Sequence, residues 1–290
     1  MKRSRHTLWS WQLPVLVLAL IGLTLPPPAS AEPPQRIISL APNVTEILFA
    51  LGVEDRIVGV SSFCDYPEAA KLKTKVGGLS NPSLEAVVSL KPDMVFLTHD
   101  GNPKAFEERL RSLKIRTVVI QARKISDLPA GIRQIGAAVG SREKAELLAG
   151  DVEKRIALYT VKERSLRLQA TPARKQKVLF IIWPDPLIVA GPGTTTDEAL
   201  SLLGLENIAA GTSTAYPKYS VEEILRQAPD LIFIGKGNGM DKVADGLLRR
   251  LKTVPAVRNG SVYYVSDYLY RLGPRTMNGV DELSGHIKKP

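Results

Sequence analysis

His99 and Asp100 follow the apolar run MVFLT, Asp267, Tyr268 and Arg271 follow VYYVS, and Trp183 follows KVLFII. A histidine beside a carboxylate can move a proton, and an aspartate near an arginine can hold the polar edge of a bound molecule. The rest of a catalytic set does not accompany them. The sequence has no G-x-S-x-G elbow, no G-x-x-x-x-G-K-[ST] phosphate loop and no G-x-G-x-x-G after a strand. Of the three histidines, His6 and His286 lie near the two ends, so His99 stands alone and a histidine-cluster metal site is not expected. The single cysteine, Cys64, cannot make an internal disulfide and reads as a buried thiol. GPGTTTDEAL (191–200) is glycine-rich ahead of a helix and can cradle an anion, but it lacks the lysine and reads as a capped turn. The expectation is binding rather than catalysis, with no resident cofactor or metal. An exported α/β enzyme is the alternative class, and the absent nucleophile and base argue against it.

The elements that must carry these residues alternate strand and helix, which builds parallel sheets flanked by helices. MVFLT, TVVIQ, LIFIG and VYYVS are short β runs of the kind buried in such sheets. Ligands of parallel sheets sit beyond the carboxyl ends of the strands. Ala41, Pro42 and Asn43 follow RIISL, and Phe63 and Tyr66 follow IVGVSS. With the residues above, this set is aromatic with a few polar groups, which suits a large, partly apolar ligand better than a sugar or an ion.

The pattern occurs twice. TEILFALGVE and DEALSLLGLE match at a spacing of 152, and SLEAVVSLKPDMVFL and SVEEILRQAPDLIFI match at 137. Asn43 with Glu46, and Thr195 with Glu198, read as capped helix starts, and Gly52 and Gly204 as the stops. The chain reads as two related halves. Between them, residues 141–172 read as one long helix capped by Ser141 and ended by Pro172, a stiff connector between a lobe at 32–140 and a lobe at 173–290. The other reading of that segment is a packed helix followed by a disordered basic tail.

Lys2, Arg3 and Arg5 precede a short apolar run interrupted by Pro14, and Ala29-Ser30-Ala31 follows. This describes a secretory signal at 1–31, cut after Ala31, in preference to a membrane anchor. That segment holds three of the 39 basic residues and no acid, so its removal takes the net charge from +10 to +7. The basic residues are scattered without interleaved aromatics, so no nucleic-acid partner is expected.

RIISLAPNVTEILFALG, GVSSFCDYPEAAKLKTKVGGLSNPSLEAVVSLKPDMVFL and SVEEILRQAPDLIFI together resemble the periplasmic binding proteins of ABC importers for cobalamin, within the wider siderophore- and haem-binding group. SDYLYRLGPR near residue 270 adds to the likeness. The resemblance implies an α/β fold of two Rossmann-like lobes joined by a single long helix, with the ligand cleft between them and small closure on binding. It implies a periplasmic monomer that takes cobalamin as its transported ligand and delivers it to an inner-membrane permease dimer. Phe63 and Tyr66 fall where aromatics line the first lobe, Tyr216 where a tryptophan lines the second, and Asp267 and Arg271 at the polar contacts. The chain departs at Leu79, where a cobalamin binder has tryptophan. Haem or a ferric siderophore is the other ligand class, and Arg271, Arg275 and His99 keep both open. Glu85 and Glu222 fall in the first turns of the two matched helices. There a carboxylate is favoured by the helix dipole, and the family uses these positions to meet arginines on its permease. The two roles are compatible.

Overall fold

The computed structural model describes residues 32–169, 174–236 and 240–287, so the signal at 1–31 and the stop at Pro172 lie outside the described residues. The first half runs β1 (Ile37–Ser39), α1 (Pro42–Ala50), β2 (Ile57–Val60), α2 (Glu68–Lys71), α3 (Leu84–Ser89), β3 (Met94–Thr98), α4 (Lys104–Ser112), β4 (Arg116–Ile120) and α5 (Leu128–Val139). Its four strands are all parallel, in the order β2-β1-β3-β4. After α6 (Arg142–Gln169) come β5 (Lys177–Pro184), β6 (Leu187–Val189), α7 (Thr195–Leu202), β7 (Glu206–Asn207), α8 (Val221–Gln227), β8 (Leu231–Gly235), α9 (Met240–Arg250), α10 (Pro255–Arg258), β9 (Val262–Val265) and α11 (Thr276–His286). Here β7, β8 and β9 pair in parallel around β5 in the order β7-β5-β8-β9. The two orders superpose element for element, which is the structural form of the sequence repeat.

One strand breaks the correspondence. β1 leads directly into α1, whereas β5 turns back on itself through Asp185 and Pro186 and pairs antiparallel with β6 before α7 begins.

The central strands are continuous apolar runs because helices cover both faces of each sheet. All five residues of β8 and the first four of β3 are buried. One apolar cluster runs through both halves: Ile37, Val44 and Phe96 of the first, Ala145, Ala149 and Val152 of α6, Phe180 and Phe233 of the second, and Met277, Val280 and Leu283 of α11.

α6 has 28 residues, or about 42 Å at about 1.5 Å per residue. Its first turns pack on α5, where Gly136 allows close approach: a Cβ there would lie 2.1 Å from the Ala145 Cβ. Further along, the Tyr159 hydroxyl donates to Asp281 of α11 at 2.5 Å, and Arg155 pairs with the same carboxylate. Gly136→Ala should therefore destabilise the protein by about 1–3 kcal/mol, since the helices must separate, even against a helix-propensity gain of about 1 kcal/mol. The urea-unfolding midpoint reads this directly, and an unchanged midpoint would show that α5 slides freely on α6.

Candidate functional site

The carboxyl ends of the strands in both lobes open onto a cavity of about 700 Å³, within the size range of small-molecule sites. The first lobe lines it with Pro42, Asn43, Phe63, Leu79 and His99, and the second with Thr194, Thr195, Tyr216, Tyr270 and Arg271. Phe63 is 55% exposed and Tyr216 56% exposed. Large aromatics that open at a cleft wall offer stacking area to a ligand.

The polar groups beside the cleft are turned toward each other across the lobes. Arg275 of the second lobe donates to Glu46 of α1 through Nε at 2.9 Å and Nη2 at 2.6 Å. The Glu46 side chain is 2% exposed and that of Arg275 15%. Arg271 donates to both carboxylate oxygens of Asp65, through Nη2 at 3.1 Å to Oδ2 and through Nη1 to Oδ1. The Arg271 guanidinium holds the Asp65 carboxyl below its ordinary range, and Asp65 in turn raises Arg271. Asn43 Nδ2 donates to the Leu272 carbonyl at 3.3 Å. A further tie sits in α7, where the Glu198 carboxylate accepts from the backbone N–H groups of Ile125 and Ser126 in the first lobe.

These contacts revise the local expectations. Asn43 does not cap α1: Ala41 is the cap residue with Pro42 in the first turn, and Asn43 and Glu46 are used between lobes. Thr194 rather than Thr195 caps α7, its hydroxyl accepting from the Asp197 N–H at 3.0 Å, and Glu198 serves the other lobe. Trp183 does not line the cleft. β5 continues through Pro184, which carries Trp183 to the base of the hairpin turn, where its indole N–H donates to the Asp185 carbonyl at 2.6 Å. Tyr66, Asp267 and Tyr268 also stand outside the lining residues. The Arg275 guanidinium lies 3.9 Å from the Tyr66 ring centre and 5.2 Å from that of Tyr268, and Asp267 is 3.8 Å from Arg275. All three lie against the interlobe arginine.

Tyr270 is one of the lining residues that strand-end reasoning passed over, although it lies one position before Arg271. Its hydroxyl is buried and has no hydrogen-bond partner among the described residues, and burial raises its pKa well above the usual phenol range. It fits only because residue 235 is glycine, since a Cβ there would sit 1.5 Å from the hydroxyl oxygen.

The sequence from residue 37 to residue 269 matches the family model described as periplasmic binding protein. The chain belongs to the periplasmic binding protein family. A vitamin B12-binding protein of Pectobacterium atrosepticum is 31% identical over 271 residues, covering 92% of this chain and 93% of that one. The crystal structure of the periplasmic vitamin B12 binding protein BtuF of Vibrio cholerae superposes with a TM-score of 0.77 at 27% identity, covering 88% of this chain and 96% of that one. The apo periplasmic heme-binding protein RhuT from Roseiflexus sp. RS-1 superposes with a TM-score of 0.76 at 29% identity, covering 87% and 97%.

In this binding protein, α3 and α8 precede the equivalent strands β3 and β8. The Ser83 hydroxyl accepts from the Ala86 N–H at 3.2 Å and the Ser220 hydroxyl from the Glu223 N–H at 3.0 Å. With the serines capping both helices, Glu85 and Glu222 are exposed in the first turns, and neither has a hydrogen-bond or ion-pair partner among the described residues. Glu223 differs, being paired with Arg226 at 2.5 Å. A helix between parallel strands starts at their carboxyl ends, so both free carboxylates lie on the side where the cleft opens.

Proposed function

We propose that this chain captures cobalamin in the cleft and hands it to an ABC permease in the inner membrane. The observation that carries the reading is the pairing of Phe63 and Tyr216 from opposite lobes across a cavity of about 700 Å³, which suits a broad, partly apolar ring system. The relatives named for vitamin B12 match almost end to end and support it. The interlobe ties make the cleft preformed, so binding needs little closure. The test is a thermal shift with cyanocobalamin, haemin and a ferric siderophore side by side. At a hundredfold excess over Kd a bound ligand adds about 2.7 kcal/mol to the folded state, and the reading falls if cyanocobalamin produces no shift. Haem is the second reading, favoured by His99 at the cleft wall and by the likeness to the heme binder. A shifted Soret band on haemin addition, lost in His99→Ala, would select it.

The chain is exported by cleavage after Ala31 and works as a periplasmic monomer, so N-terminal sequencing of the exported form should read EPPQR. Docking uses Glu85 and Glu222. A partner built from two like subunits repeats its surface, and two unpartnered carboxylates at equivalent places in two lobes supply matching contacts. Glu85→Ala combined with Glu222→Ala should leave the cobalamin Kd unchanged and stop uptake by whole cells. Normal uptake by that double variant would return both residues to the role of helix-end acids.

A further inference from the structure

The hairpin that breaks the repeat also creates a second cavity, of about 490 Å³. Asp185 and Leu187 of the hairpin form one wall, Val221 and Glu222 at the start of α8 another, and Leu247 and Arg250 of α9 a third. Val221 and Leu247 are buried and Leu187 half-buried, which makes the floor apolar. Asp185, Glu222 and Arg250 are exposed at the rim, and none has an ion-pair partner among the described residues. Val243 of α9, an exposed apolar side chain, also lines it. The first lobe has no counterpart of the hairpin wall, because β1 runs straight into α1.

We propose that this cavity is a socket for one periplasmic loop of the permease, which inserts a lysine or arginine with its methylenes on the floor and its charge between Asp185 and Glu222. The inference rests on the docking role of Glu222, which is itself part of the cavity wall: a partner that covers this carboxylate covers the opening too. Charge complementarity selects the inserted residue, since two of the three rim groups are carboxylates and both lie on walls other than that of Arg250. Rim charges alone contribute little because water screens them. A side chain seated in a recess, against Val221 and Leu247, is shielded from water and gains more than one held at the rim. A permease of two like subunits then meets two unlike lobes: one of its loops is seated in a socket and its twin is held by Glu85 alone.

The test measures dissociation of the full exported chain from its permease dimer in nanodiscs. Gly246 lies in the cavity wall, and among the described residues a Cβ there would meet only the Arg249 Nη2, at 3.9 Å. Gly246→Leu therefore fills the socket without a backbone clash, and leucine suits a helix better than glycine does. Its cobalamin Kd should match that of the unsubstituted chain and its thermal midpoint should be no lower, while dissociation from the permease becomes at least about tenfold faster, on the order of 1.4 kcal/mol. Asp185→Lys, on the exposed rim, should also speed dissociation, with an effect that shrinks as salt is raised. If both variants leave as slowly as the unsubstituted chain while Glu85→Ala with Glu222→Ala loses docking, the socket is overturned and the docking role stands. If that double Glu variant also docks normally, the docking reading fails and the socket with it.

Discussion

Arg275→Ala should cost about 3–5 kcal/mol of stability, the usual loss when one partner of a buried ion pair is removed. The reason is the carboxylate left behind. Glu46 is 2% exposed, sits inside the first lobe and takes two hydrogen bonds from Arg275. Its next cation, Arg271, is 3.8 Å away and is engaged by Asp65. Alanine would also remove the guanidinium stacked on Tyr66 at 3.9 Å. A companion variant separates the pair from its desolvation cost. Glu46→Leu with Arg275→Met should recover at least half the loss, because apolar replacement of both partners avoids an unpaired buried charge. Urea-unfolding midpoints of the two variants check this. A loss under about 1 kcal/mol for Arg275→Ala would mean that water reaches Glu46 and that the lobes are not held there.

Cleft aromatics should dominate affinity. Phe63→Ala and Tyr216→Ala are each expected to weaken cobalamin binding by about 1–3 kcal/mol, since each removes a large contact face. That is roughly fivefold to 150-fold in Kd. The residues stand on opposite lobes and meet through the ligand alone, so the double variant should bind more weakly than either single one, and any departure from additivity measures their coupling through the ligand. Titration calorimetry with cyanocobalamin measures all three constants. Tyr66→Ala, by contrast, should change affinity little and stability more, because its ring supports Arg275 and does not line the cavity. Unchanged binding in the double variant would place the ligand elsewhere.

The repeat, the strand runs and the two-lobe plan were legible because hydrophobic periodicity and turn residues are local signals. The interlobe chemistry was not. Asn43 and Glu46 have the spacing of a capping box, yet Glu46 bonds a residue 229 positions away, and no local pattern separates the two uses. The hairpin escaped because β6 has only three residues, too few to show alternation, and Trp183 was placed one element too early as a result. The TTT run allows either of two cap registers, and the fold uses the first.

The apolar cluster shared by both lobes bears on the order in which the protein can fold. Ile37 of the first strand and Met277, Val280 and Leu283 of the last helix belong to it together. The shared cluster is therefore incomplete in a growing chain until α11 has been made, and contacts so distant in sequence close slowly. The same cluster ties the first strand and the last helix of the folded molecule into one body, so that unfolding either end should loosen both lobes together.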